Sequence, residues 1–128
     1  MIHEEICTYE VCKLAKEKGF NVQTFDWYDY TGNYHKGFIP RKLHECPQYK
    51  ESYALTQSLL QRWLREEKKI VVEVGYYSVE KKYYWSVFDT TKDDMFASFI
   101  PPSRSMSRYD TWEQALESGL KYALKELK

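Results

Sequence analysis

Apolar side chains recur at helical spacing in a central and a C-terminal stretch of the chain. The central stretch follows Thr56, a residue type that caps helix N-termini. Its apolar face consists of Leu55, Leu59, Leu60, Trp63 and Leu64. The C-terminal stretch follows Thr111, which together with Gln114 has the spacing of a capping box. Its apolar face consists of Trp112, Ala115, Leu116, Gly119, Leu120, Ala123, Leu124 and Leu127. Each stretch predicts an amphipathic helix that buries one side.

A shorter helix is predicted near the N-terminus. Thr8 is its expected N-cap and Gly19 its expected end, because glycine readily adopts the backbone conformation that terminates helices. Val11, Leu14 and Ala15 fall on one face, so this helix can dock by one side.

Between the two long helices, the apolar residues alternate with the two-residue period of a β-hairpin. An even-numbered loop, either residues 80–81 or residues 79–82, places Tyr76 opposite Trp85. The core face then contains Ile70, Val72, Val74, Tyr76, Tyr83, Trp85 and Val87. An odd-numbered loop would instead turn Tyr84, Ser86 and Phe88 inward. Since that set makes a poorer core, the even loop is preferred.

The even loop defines an outer face of the hairpin. This face carries Val71, Glu73, Gly75, Tyr77, Tyr84, Ser86 and Phe88. Tyr77 and Tyr84 become cross-strand neighbours. Gly75 in the middle of a strand indicates a bulge or a close approach of another group to the backbone.

The remaining segments have weaker patterns. A third strand is expected at residues 95–100, ended by Pro101 and Pro102, which cannot donate to a ladder, and residues 103–108 read as a loop. Residues 23–30 and 34–39 predict a loose hairpin, and residues 40–49 a loop.

Length and composition complete the predicted fold. A chain of 128 residues fits one domain, residues 1–128, with a core of its own. The 12 Tyr, 6 Phe and 4 Trp favour sheet structure. We therefore expect an α+β fold: an antiparallel β-sheet of about three to five strands, two helices packed on one face, and the shorter N-terminal helix at an edge.

The charges balance, with 19 basic and 19 acidic side chains. No whole-molecule field attracts nucleic acid or an anionic membrane. The acidic start is unlike a secretory signal, and no window approaches the roughly 18 apolar residues of a membrane span. Three cysteines without paired spacing fit reduced thiols. The expectation is a cytoplasmic protein without a membrane partner.

No pattern of catalytic or metal-binding residues stands out. The candidate metal ligands are His3, Cys7, Cys12, His35, His44 and Cys46. They do not form the paired spacing of a zinc site. Carboxylates are abundant, but none is paired with a nucleophile or base, and the five glycines form no phosphate loop. The chain is therefore interpreted as non-enzymatic, with no cofactor and no metal, and a small enzyme of unknown reaction ranks third among the alternatives.

Two binding functions are considered. A protein partner or a second copy of the chain would contact Tyr77, Tyr84 and Phe88, because tyrosine-rich patches are typical contact surfaces. The alternative is nucleic-acid binding, since residues 56–128 follow the α-β-β-β-α order of a double-stranded-RNA-binding domain. Arg104 and Arg108 would then meet phosphates. The acidic start of the last helix, which carries Asp110 and Glu113, opposes this alternative.

Three segments resemble a family of small uncharacterised proteins from bacteria and their phages. They are residues 16–20, residues 53–66 with the run Gln61-Arg-Trp-Leu-Arg65, and residues 109–120. The resemblance spans most of the chain, and its motifs are those of helices and core. It implies a bacterial or phage cytosolic setting and carries no catalytic or binding residues.

Overall fold

The computed structural model describes residues 4–20, 22, 24, 26–29, 31–36, 50–92, 99–104 and 108–127. Its elements in chain order are α1 (Tyr9–Glu17), β1 (Trp27–Asp29), β2 (Tyr34–His35), β3 (Lys50–Tyr53), α2 (Gln57–Glu67), β4 (Ile70–Tyr77), β5 (Lys82–Asp89), β6 (Phe99–Arg104) and α3 (Trp112–Glu126). The predicted α+β class is confirmed.

All three helices begin at the threonines that the sequence predicts. The hydroxyl oxygens of Thr8, Thr56 and Thr111 each accept a hydrogen bond from the backbone N–H three residues later, at 3.1–3.4 Å. At α3 the side chain of Gln114 also accepts a hydrogen bond from the Thr111 N–H, which completes the capping box. The predicted stop after α1 is confirmed by Gly19, whose φ of +99° is left-handed.

The described strands form two antiparallel sheets rather than the single sheet that we expected. One has the order β4-β5-β6 and the other the order β2-β1-β3. Helices α2 and α3 pack on the β4–β5 hairpin, while α1 packs between α3 and β3. One hydrophobic cluster joins the three helices to strands of both sheets. The two long helices therefore lie over the hairpin, as predicted, and the N-terminal half of the chain contains the second sheet.

The β4–β5 hairpin has an even loop, as predicted, but its pairing is shifted by two residues. Tyr76 lies opposite Tyr83, not Trp85, and the loop consists of residues 78–81. Lys81 takes a left-handed φ of +57° in that loop. A shift by two residues leaves every side chain on its predicted face, so hydrophobic alternation cannot detect it. The buried residues Ile70, Val72, Trp85 and Val87 confirm the predicted core face.

Helix α3 approaches the hairpin closely along its small residues. A Cβ added to Gly119 would lie 2.9 Å from both Trp85 Cβ and Val72 Cγ1. Ala115 and Ala123 on the same line are fully buried. The small side chains at positions 115, 119 and 123 therefore let α3 lie close against the sheet.

Several predictions in the less regular segments were wrong in detail. Strand β6 runs through Pro101 and Pro102 instead of ending there, and it includes residues 103–104 of the predicted loop. It lies at the edge of its sheet, where a residue without an N–H is tolerated. The predicted hairpin at residues 23–39 exists but is shorter, and β3 was missed. Residues 40–49 and 93–98 lie outside the described residues.

Candidate functional site

Three of the five predicted binding residues meet on the outer face of the hairpin. The guanidinium carbon of Arg108 lies 5.3 Å from the ring centre of Tyr77 and 5.7 Å from that of Tyr84. These distances are within the range of cation–π attraction. We call Tyr77, Tyr84 and Arg108 the outer-face cluster.

Chain direction and the hairpin turn bring the outer-face cluster together. Tyr77 is the last residue of β4, and Tyr84 is the third residue of β5. Arg108 is placed by its neighbour Tyr109, whose N–H and C=O both bond Tyr83 of β5 at 2.8 Å. Because that bridge fixes the chain entering α3 beside the hairpin, the guanidinium is held over the tyrosine rings.

The third contact of Arg108 is a carboxylate. Its Nε lies 3.6 Å from Oε2 of Glu80, in the hairpin loop. The guanidinium therefore contacts two rings and an anion. The side chain of Arg108 is nevertheless 32% exposed to solvent. Tyr77 is 41% exposed. The outer-face cluster is thus ordered by its own contacts yet open to solvent, which favours binding because few rotamers need to be fixed on contact.

Gly75 allows the ring of Tyr84 to lie directly against strand β4. The two residues are cross-strand partners, and a Cβ on Gly75 would lie only 2.3 Å from Cζ of Tyr84. No register shift interrupts the β4–β5 pairing. Of the two readings of this glycine, a bulge or a close approach, the structure shows the close approach.

The other two predicted residues do not join the cluster. Phe88 is half-buried near the far end of β5, four residues from Tyr84 along the strand, and its backbone partner in β6 is Phe99. Arg104 lies in β6 with Ser86 as its backbone partner. Tyr77 and Tyr84 are not direct cross-strand partners either, because the pairing shift places Lys82 opposite Tyr77.

A second aromatic row on the opposite face of the hairpin tip was not predicted as surface. The ring centres of Tyr76 and Tyr83 are 5.1 Å apart, and those of Tyr83 and Trp112 are 6.3 Å apart. Tyr76 is 54% exposed and Trp112 is 46% exposed, although the sequence pattern assigned both to the core. The sequence does contain a signal: tyrosines occupy both faces of both strands beside the turn, and only one face can be core.

Glu117 is the titratable side chain that stands out in the groove between α1 and α3. The groove has a volume of about 910 Å³ and also contains Glu10 and Lys121, which form a 2.8 Å ion pair. The N–H of Thr8 donates to Oε1 of Glu117 at 3.1 Å, and Oε2 is buried with no hydrogen bond. Burial raises the pKa of Glu117. This carboxyl is therefore protonated more readily than an exposed glutamate.

Cys7 and Cys12 are buried free thiols next to each other at the start of α1. They occupy the positions before the N-cap and in the first turn that commonly form a hydrophobic staple. The Cys12 thiol donates to the Cys7 carbonyl at 3.7 Å, and the N–H of Leu55 donates to Cys12 Sγ at 3.4 Å. The neighbouring Cys12 thiol and burial both raise the pKa of the Cys7 thiol. Such thiols pack as small apolar groups.

The other candidate metal ligands do not cluster or lie outside the described residues. His35 Nε2 lies 2.8 Å from Oδ2 of Asp29, within the β1–β2 hairpin. In the described part of the chain, no three His, Cys, Asp or Glu side chains are placed to share a metal ion. His3, His44 and Cys46 are outside it. None of the described helices combines the length and apolar character needed to cross a membrane.

Comparisons of the chain with models of protein families, with curated proteins and with solved structures found no match.

Proposed function

We propose that the chain is a non-enzymatic binding protein that self-associates through the outer face of the β4–β5 hairpin. The observation that carries the proposal is the convergence of Tyr77, Tyr84 and Arg108 at one exposed place. Tyrosine and arginine are the residue types enriched in the energetic centres of protein interfaces. The bacterial or phage cytoplasmic setting implied by the sequence resemblance is part of this proposal.

Charge balance supports a second copy of the chain as the partner. The formal net charge is zero at pH 7, so two copies do not repel each other over long distances. Within the cluster, Arg108 lies beside Glu80, which makes the surface locally balanced as well. A balanced, aromatic surface fits a copy of itself better than it fits a strongly charged partner.

Nucleic-acid binding is the second candidate, favoured by the element order α2-β4-β5-β6-α3. Two contacts weaken it. Arg108 is engaged by a carboxylate, and Lys82 of β5 is paired with Asp110 just before α3. Phosphate contacts make binding fall steeply with salt. Salt-sensitive retention on mixed oligonucleotides, lost in Arg108→Ala, would replace the self-association proposal with this one.

Sedimentation of the wild type and of the double variant Tyr77→Asp/Tyr84→Asp tests the proposal. Measurements up to about 0.5 mM cover the micromolar-to-millimolar range of weak complexes. We expect a dimer for the wild type and a monomer for the variant, because two buried carboxylates would oppose association. Val22→Asp is the matched control, since Val22 is 40% exposed and is not part of the hairpin.

A wild type that stays monomeric throughout this concentration range would refute the proposed self-association. So would a Tyr77→Asp/Tyr84→Asp variant that associates as tightly as Val22→Asp.

A further inference from the structure

Strand β4 lies at an edge of its sheet, and its free side can be identified residue by residue. Tyr83, the partner of Tyr76, uses its N–H and C=O in bonds to Tyr109, away from β4. Tyr76 and Tyr83 are therefore a non-hydrogen-bonded pair, and the main-chain groups of Tyr76 point away from β5. The direction of the main-chain N–H and C=O groups alternates from residue to residue along a strand. The main-chain groups of Val74 and Val72 therefore also point away from β5.

The free side is covered at Val72 and open further along. The side-chain amide of Gln61 on α2 donates a 2.7 Å hydrogen bond to the Val72 carbonyl. Among the described residues, no hydrogen bond reaches the outward groups of Val74 or Tyr76. Two outward donors and two outward acceptors thus lie next to each other near the hairpin tip. Such an edge is a template for another β-strand.

We infer that this edge pairs with the same edge of a second copy, antiparallel and with Gly75 opposite Gly75. The inference rests on the proposed self-association and specifies where the copies meet: at the β4 edge, with Tyr77 and Tyr84 of the outer face beside the seam. In this register Val74 of each copy pairs with Tyr76 of the other, which makes four main-chain hydrogen bonds between the copies. The two sheets then become one continuous sheet of six strands.

The neighbouring registers fit less well. Centring the pair on Val74 would require the Val72 carbonyl, which Gln61 already occupies. Centring it on Tyr76 would pair Val74 with Ser78, which belongs to the turn. Only the register centred on Gly75 uses both open residues and leaves the Gln61 hydrogen bond in place.

The side chains also fit this register. On the core side, the exposed ring of Tyr76 meets Val74 of the other copy, a favourable aromatic and β-branched pair. On the outer side, Tyr77 meets Glu73 of the other copy, so no two carboxylates oppose each other. Gly75 has no side chain at the axis, and the Tyr84 rings that cover it come to lie beside each other. The pairing is isologous and closes as a dimer.

A comparison of Tyr76→Pro with Tyr76→Thr separates the contribution of main-chain pairing from that of the side chain. Both remove the ring, but only proline removes the N–H, which makes no hydrogen bond among the described residues. Proline is tolerated on the free side of an edge strand. We expect a dimer dissociation constant at least tenfold higher for Tyr76→Pro than for Tyr76→Thr. Equal constants would overturn the edge pairing.

A charge exchange tests the register independently. Tyr77→Asp should weaken the dimer by placing Asp opposite Glu73 of the other copy, and adding Glu73→Lys should restore it. Residues 73 and 77 of one chain lie about 13 Å apart along the strand, so the rescue can act only between copies. Absence of rescue would overturn the register.

The outcomes distinguish this inference from the function on which it rests. Suppose that Tyr77→Asp/Tyr84→Asp dissociates the dimer while Tyr76→Pro and Tyr76→Thr bind alike. The outer-face association then stands, and the edge pairing is wrong. A monomeric wild type instead refutes the proposed self-association itself.

Discussion

Replacing Gly119 by alanine has two opposing effects of similar size on the stability of the fold. The structure shows which of the two is larger. Glycine inside a helix is unfavourable by about 1 kcal/mol relative to alanine. In an open position, Gly119→Ala would therefore stabilise α3 by about that amount. Gly119 is not in an open position, because a Cβ there would lie 2.9 Å from Trp85 Cβ and from Val72 Cγ1.

The packing cost exceeds the helix gain. Trp85 Cβ is attached directly to the backbone of β5, so it cannot rotate away from a new methyl group. Adding one methyl group to a well-packed core typically costs about 1–3 kcal/mol. After the helix gain is subtracted, we expect Gly119→Ala to lower the free energy of unfolding by about 1 kcal/mol. The melting temperature should fall by about 3–5 °C for a chain of this length.

Urea denaturation with matched controls checks this value. Lys125 lies on the exposed face of the same helix, so the difference between Lys125→Ala and Lys125→Gly measures the helix preference without packing. In a Val72→Ala background, Gly119→Ala should cost less, because one of the two close contacts is gone. The difference in stability between Lys125→Ala and Lys125→Gly is the gain expected at an open position. If Gly119→Ala stabilised the protein by the same amount, the close approach of α3 to the sheet would be refuted.

Two further predictions concern α3. Burial raises the pKa of Glu117, so the folded state binds its proton more tightly than the unfolded chain does. The favourable contribution is complete below the unfolded pKa of about 4.3 and is lost as pH rises through the higher folded pKa. Glu117→Gln should therefore be more stable than the wild type at pH 7 but not below about pH 4 in urea titrations, and no gain at pH 7 would contradict this. Thr111→Ala removes the capping box and should cost about 1 kcal/mol in the same assay, whereas an unchanged midpoint would show that the cap is unimportant.

The sequence was sufficient wherever a residue's own chemistry decides the structure. Thr8, Thr56 and Thr111 cap helices because a side-chain oxygen can reach an unpaired N–H, a local interaction that needs no tertiary contact. The parity of the hairpin loop was also accessible, since only one choice buries the apolar face. These two kinds of information predicted the three helices and the packing of α2 and α3 on the β4–β5 hairpin.

The sequence was insufficient where a choice leaves the hydrophobic pattern unchanged. A two-residue shift of the hairpin keeps each side chain on its face but changes which residues the helices cover. Tyr76 lies on the predicted core face, but it is next to the turn at the hairpin tip, where it is 54% exposed. The four-residue strand β3 was missed because so short a segment shows no period. The hairpin of β1 and β2 was predicted, and Asp29 organises its turn by accepting hydrogen bonds from the N–H groups of Thr31 and Asn33.

The position of the tyrosines along the hairpin argues for a contact surface at its tip. At the base, Ile70, Val72 and Val87 are buried, so their apolar area contributes fully to folding. At the tip, Tyr76 and Tyr77 point to opposite faces and are 54% and 41% exposed. Much of their area remains in water, so it cannot contribute to folding of the single chain. Association of this tip with another molecule would bury that area, and the open main-chain groups of β4 lie at the same place.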